Sequence, residues 1–287
     1  LAKDYYGIKS DYLLEVDITP NRVDAASHYG VARDLAAFFA LKNPAIQLTK
    51  PSVEAFKVQN TNLTIPVTVE NTEACPRYSA VTISGVKVTE SPEWLKNALL
   101  VIGLRPINNI VDITNYVLHE LGQPLHAFDA DKIAGGEVRV KCMPEGTPFV
   151  SLEGTERKLN AADLMICNAE KPMCIGGVFG GLDSGVTETT QNVFLESAYF
   201  NPVSIRKTAR RHGLNTDASF RFERGCDPTN TIYVLKRCAL LIQEVAGGTI
   251  SSEIVDIYPQ EVKPFEVEIT LQKINSLIGK EIGKENI

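Results

Sequence analysis

The sequence of 287 residues contains no apolar run of the ~18 residues that a membrane-spanning helix needs. Its six cysteines, at 75, 142, 167, 174, 226 and 238, form no CxxC pair, and none of its four histidines falls at zinc-ligand spacing. No metal site is therefore expected. Cys142, Cys167 and Cys238 sit in apolar surroundings, where a thiol acts as a small hydrophobe. Reduced thiols and a cytoplasmic compartment are the corresponding expectation. No GxGxxG turn opens a helix, and no Ser–His–Asp order presents itself. An excess of positive charge is also missing. The net charge is −6, so the whole chain does not read as a simple nucleic-acid binder, and any RNA contact must come from a local basic patch. The opening LAKDYYG lacks an initiating Met and the pattern of a signal peptide, and reads as part of a longer polypeptide.

What is present is the composition of a soluble globular chain, long enough for a sizeable core. The expected fold class is α+β: a mixed, largely antiparallel β-barrel or sandwich with packed helices, flanked by small strand–helix segments. Residues 1–45 read as part of a small strand–helix domain, 46–60 as a linker, 61–260 as the main domain and 261–287 as the start of a second small domain. In the first unit, Leu13, Leu14, Val16 and Ile18 predict a strand. A helix follows, with Asp24 as N-cap and Val31, Leu35, Phe38 and Phe39 as its buried stripe. From Thr64 the pattern turns to alternation: TIPVTVE, RYSAVTISGVKV, EVRVKC, PFVSL, ERKL, LMICN, MCIGGVFGG and VFLESAYF predict short strands. Helices are expected over SPEWLKNALL, capped by Ser91, from Pro202 to Arg211 after an Asn201 cap, and from Thr229 to Val245. LEVDIT at Leu14–Thr19 is echoed by FEVEIT at Phe265–Thr270, each followed by a helical segment.

The stretch from Gly103 to Asp131 predicts a helix beginning near Pro106 and ending at Gly122, with Pro124 preventing its resumption and His126 in the turn beyond. Its apolar stripe is interrupted by Asn108, Asn109, Asp112, Thr114 and Asn115. Such residues are mediocre helix formers. Each alone reads as a cap or loop tie, but five together, followed by His126, read as the polar wall of a pocket. An unpaired buried polar group costs ~1–3 kcal/mol, so such a cluster needs partners, and a ligand is one candidate.

Three further segments carry possible chemistry. In Ile175–Leu182, two glycine pairs, Gly176–Gly177 and Gly180–Gly181, fit either close approach to a ligand or a tight corner with none. In VFLESAYF, alternation places Glu196 on one face with Phe194, Ala198 and Phe200. A carboxylate there needs a partner, either an internal Arg or amide or a ligand hydroxyl. In HGLNTDASFRFERG, Thr216 and Ala218 lie in a turn bracketed by Arg206, Lys207, Arg210, Arg211, Arg221 and Arg224. Phosphate contact and solvated ion pairs are both open readings.

RPINNIVDITNYVLHELGQPLHAFD and FNPVSIRKTARRHGLNTDASFRFERGCDP resemble blocks of the β subunit of bacterial phenylalanyl-tRNA synthetase, and the resemblance runs from about Tyr12 to Ile287. It implies that residues 61–260 hold the editing domain, which hydrolyses tyrosine wrongly attached to tRNA(Phe). The family's pocket residues match Thr114, Asn115 and His126, expected to position the ester and water, and Gly176, Gly177, Glu196, Thr216 and Ala218, expected to bind substrate. Glu196 is thereby implied to accept a hydrogen bond from the tyrosine phenol. The implied partners are the tRNA(Phe) acceptor end and the α subunit, in a holoenzyme of two α and two β chains. ATP and Mg²⁺ belong to the holoenzyme, and no cofactor is expected in this segment. The rival reading is a non-catalytic RNA-binding or subunit-assembly scaffold.

Overall fold

The computed structural model describes residues 11–287. Twelve strands follow one another as β1 (Val67–Val69), β2 (Arg77–Ser84), β3 (Leu125–Asp129), β4 (Val138–Cys142), β5 (Pro148–Val150), β6 (Glu156–Lys158), β7 (Leu164–Cys167), β8 (Pro172–Ile175), β9 (Phe179–Gly180), β10 (Asn192–Tyr199), β11 (Thr249–Ile250) and β12 (Val255–Ile257). The α-helices are α1 (His28–Ala40), α2 (Glu93–Val101), α3 (Asn109–Leu121), α4 (Pro202–His212), α5 (Asp217–Phe222), α6 (Thr231–Ala246) and α7 (Leu271–Ile278).

The strands form two sheets and a hairpin. One sheet runs β1-β4-β7-β8-β9, with β1 and β4 parallel and the rest antiparallel. The other runs β11-β2-β10-β3, with β12 also on β2, and β5 pairs with β6. In each sheet the described pairing runs from one edge to the other without closing into a barrel.

β2 and β10 form the spine. They pair antiparallel over their full lengths, from Asn192 opposite Ser84 to Tyr199 opposite Arg77, and both are buried on both faces. One face carries Tyr78, Ala80, Phe194 and Ala198, which share a core with Val138, Val140, Met165, Ile166 and Ile175 of the other sheet. The opposite face carries Val81, Ile83, Val193 and Leu195, packed on Leu95 and Leu99 of α2, Ile110, Ile113 and Val117 of α3, and Val234, Leu235 and Cys238 of α6. The layers are therefore sheet, sheet, helices. Alternation along VFLESAYF sorts its side chains between the two cores as the pattern predicts.

Helix ends follow local chemistry. The Asn108 side chain accepts from the amides of Ile110 and Val111, and Gly122 closes α3 at φ +76°. Asn201 caps α4 in the same way. Several expected details differ. α3 begins at Asn109, past Pro106. α1 is capped by Ser27, while Asp24 lies in a preceding 3₁₀ turn, and Leu35, Phe38 and Phe39 are exposed. Ser91 caps nothing: its hydroxyl donates to Asp112 at 2.5 Å, and α2 starts after Pro92. MCIGGVFGG holds two strands and a turn. No strand forms over 13–18 or 265–270, where Leu14 and Phe265 stand exposed with no sheet to join. The expected linker 46–60 lies against the body: Tyr233 donates to the Pro51 carbonyl, and Gln59 to that of Ile250.

Candidate functional site

Between the two sheets, one face of α3 and helix α5 lies a cavity of about 420 Å³. Thr114, Asn115, His126, Gly177, Glu196, Thr216 and Ala218 all line it. Gly176 does not; its amide donates to the Leu164 carbonyl, and it belongs to the corner between β8 and β9. Two other cavities of similar size occur, one beside α4 and one near Phe149 and Met173. The cavity between the sheets is distinguished by two titratable groups on its wall, buried Glu196 and half-buried His126, whose proton affinities burial shifts, a feature that marks functional sites.

His126 lies in strand β3 rather than in a turn. Pairing with β10 gives LHAFD its extended form and sets His126 opposite Glu196. Residues directly opposite one another project to the same face, with Cβ atoms about 5 Å apart. The imidazole stacks edge-on against Phe128, with ring centroids 4.4 Å apart. On its other side stands Gly180, where a Cβ would approach the ring's Cε1 to 3.1 Å, so the missing side chain makes room for the imidazole. The residue as a whole is half-buried, but its Nε2 is shut off from solvent and has no hydrogen-bond partner among the described residues. Burial pushes this imidazole down to about 4, so it is neutral at pH 7.

Glu196 is 5% exposed. Its Oε2 accepts a hydrogen bond of 2.7 Å from the Tyr78 phenol, and no salt bridge reaches it among the described residues. Burial raises its carboxyl to about 7, against the opposing effect of the Tyr78 hydrogen bond. Among the described residues neither an Arg nor a backbone amide meets it; the internal partner is a phenol.

The polar helix residues divide. Asn108 is the cap of α3. Asn109 holds the segment before α2, donating to the Lys87 carbonyl and accepting from the Thr89 amide. Asp112 accepts from Ser91 and from the Ile107 amide. These three are structural, and only Thr114 and Asn115 reach the cavity wall. The Thr114 hydroxyl donates to the Val111 carbonyl at 2.7 Å.

Thr216 and Ala218 belong to a helix start, not a turn. Thr216 caps α5 through a capping box with Ser219, and its hydroxyl also reaches the Val178 carbonyl at 3.1 Å. That contact ties α5 to the β8–β9 corner. Gly177, in that corner at φ +68°, leaves no room for a side chain: a Cβ would stand 2.8 Å from Phe200 and 2.9 Å from Ile205.

The six cations also divide. Arg211 pairs with buried Asp163, and Arg224 pairs with Glu223 and lies 3.7 Å from the Phe220 ring centroid. Buried Arg221 donates to Asp217 and to the Ala26 carbonyl, and lies 3.3 Å from His119 Nδ1. Arg206, Lys207 and Arg210 are exposed on α4. Sequence reasoning missed Tyr78, and it named Gly180 as one of a glycine pair without linking it to His126. Tyr78 sits in a predicted strand, but only the register with β10 brings it to Glu196.

Two stacked sheets around a cavity holding a buried carboxylate and a neutral imidazole thus define the site. Residues 74–247 match the family described as B3/4 domain, and the chain belongs to that family. Over its full length it is 68% identical to the phenylalanine–tRNA ligase beta subunit of Bacteroides fragilis and 56% identical to that of Porphyromonas gingivalis. It is 46% identical, over 96% of its length, to that of Bdellovibrio bacteriovorus. The chain spans about a third of these relatives, 35%, 35% and 34% respectively. An N-terminal fragment of the phenylalanyl-tRNA synthetase beta-subunit from Pyrococcus horikoshii aligns over 93% of this chain and 72% of its own, with 16% identity and a TM-score of 0.43. Among the described residues no helix is long and apolar enough to cross a membrane.

Proposed function

We propose that this chain is the proofreading segment of a phenylalanine–tRNA ligase β subunit, and that its cavity hydrolyses tyrosine esterified to tRNA(Phe). The observation that carries the reading is the Glu196 carboxyl, buried on the cavity wall without a cation and opposite His126. A phenol entering the cavity donates to that carboxylate. A phenyl ring has nothing to donate and leaves the carboxylate with the Tyr78 hydrogen bond alone. Sites built to hydrogen-bond a hydroxyl reject the analogue lacking it far more strongly than an apolar pocket rejects an added hydroxyl.

For the hydrolytic step, the polar wall of Thr114, Asn115 and His126 supplies groups that hold a water and the ester. With its imidazole depressed to about 4, His126 is a neutral hydrogen-bonding group at pH 7 and a weak proton acceptor. Water positioning then contributes more than a strong base does. Gly177 and Ala218 keep the wall close without filling it, and Thr216 fixes α5 against the corner. Exposed Arg206, Lys207 and Arg210 offer phosphate contacts for the acceptor end. The α subunit, ATP and Mg²⁺ belong in this reading to the aminoacylation reaction of the holoenzyme.

The test compares deacylation of Tyr-tRNA(Phe) and Phe-tRNA(Phe) by the Glu196→Ala protein. The preference for the tyrosyl ester should shrink by about 2 kcal/mol, as expected for a hydrogen bond to a charged group. An undiminished preference sinks the assignment.

A further inference from the structure

We infer that Tyr78 is a positioning residue that sets the specificity of this cavity: its phenol holds Oε2 of Glu196, so that the carboxylate meets an incoming hydroxyl as a fixed anion. The inference rests on the proofreading reading above and adds a residue to it. Tyr78 is fully buried and is not part of the cavity wall. On β2, Ala80 is directly opposite Glu196 and Tyr78 is opposite Ala198, so Tyr78 stands on the same face one pair along. From there its hydroxyl reaches Oε2 at 2.7 Å. Both residues belong to paired central strands, which leaves the contact little freedom.

The groups around Glu196 give this hydrogen bond its weight. They are the Tyr78 phenol from β2, the Cys75 thiol from the turn before β2, the Cys174 thiol from β8 and the His126 imidazole from β3. Both thiols are pushed well up by burial and stay protonated, and the imidazole is neutral. Among the described residues, Tyr78 is the only side chain that hydrogen-bonds the carboxyl. Burial alone favours the neutral acid. A neutral acid both donates and accepts, and it tolerates an empty or phenyl-filled cavity. An anion does not, because the oxygen that Tyr78 leaves free, Oε1, must also be met by a donor. By donating to the ionised form, Tyr78 shifts the balance toward the form that discriminates.

The variant Tyr78→Phe removes one oxygen and keeps the ring that packs the core. Intact protein is assayed with tRNA(Phe) charged with tyrosine or phenylalanine, between about pH 5.5 and 9, and the ratio of the two rates is followed so that the common pH dependence of ester hydrolysis cancels. In the unmodified protein the ratio should climb through neutral pH. In Tyr78→Phe the climb should move upward by about one pH unit, lowering the ratio about fivefold at pH 7 and about tenfold toward pH 5.5. A second measurement needs no substrate: the infrared carbonyl band of protonated Glu196, identified by its loss in Glu196→Gln, is titrated in both proteins. Its midpoint should rise in Tyr78→Phe. If both ester rates change in parallel and neither the ratio profile nor the band moves, Tyr78 merely packs and the inference is wrong. If the unmodified protein hydrolyses neither ester, the proofreading reading fails, while the band titration still decides whether Tyr78 controls Glu196.

Discussion

Glu196 and His126 face each other across β3 and β10, and burial drives their titrations in opposite directions. The folded carboxyl is raised from 4.5 to about 7, so the folded state binds the proton more tightly than the unfolded chain. The stability this gives is complete below pH 4.5 and is lost as pH rises through 7. For His126, lowered from 6.5 to about 4, the sign reverses: its contribution is complete above 6.5 and is lost as pH falls through 4. Between about 4.5 and 6.5 the two slopes oppose, and wild-type stability should vary little with pH from this pair. Glu196→Gln keeps an acceptor for Tyr78 and removes the carboxyl titration. Denaturant unfolding should show this variant gaining on wild type by about 3 kcal/mol between pH 4.5 and 7. A constant difference across that window would mean that Glu196 stays ionised in the folded protein. The burial of Glu196 was legible from alternation alone, because Phe194, Ala198 and Phe200 share its face. The partner was not legible, because alternation names a face and says nothing about which distant strand lies beside it.

At the scale of elements, the sequence showed best what depends on nearest neighbours. The Asn108 and Asn201 caps, the Gly122 stop and the strands 77–84 and 192–199 all follow from local spacing. β3 was misread as a turn because five residues after a proline carry too little pattern, and β10 alone makes them a strand. α5 was misread because six residues are held as a helix by a capping box and by the Val178 carbonyl, a contact 38 positions away. The glycine stretch was left open between corner and ligand site; in the structure Gly176 and Gly177 form the corner, and Gly177 also borders the cavity. Gly177→Ala tests the corner. At φ +68°, with Phe200 and Ile205 under 3 Å from the added carbon, the variant should lose about 2 kcal/mol or more of stability, read from its unfolding midpoint. A fully stable Gly177→Ala protein would show that the corner yields more readily than its packing suggests.

Over the whole molecule, burial is unevenly distributed. The two sheets and α2, α3 and α6 hold the cores, whereas Leu13, Leu14, Phe38, Phe265, Val267 and Leu277 stand exposed near the ends of the described chain. The echo between residues 14–19 and 265–270 was a weak one in the sequence, and neither copy forms a strand in this chain. Hydrogen exchange should therefore show slowest exchange in β2 and β10 and near-unprotected amides over 265–270, since amides without partners open freely. Strong protection at 265–270 would contradict the structure. The cavity wall is drawn from stretches near residues 107–127, 174–186, 196 and 216–222. A polypeptide emerging from the ribosome therefore has no enclosed chamber until its synthesis has passed Phe222. Shorter nascent products carry the imidazole and the acidic side chain without the wall that residues 216–222 supply, so no truncated translation product ending before that point should show the hydrolysis proposed above.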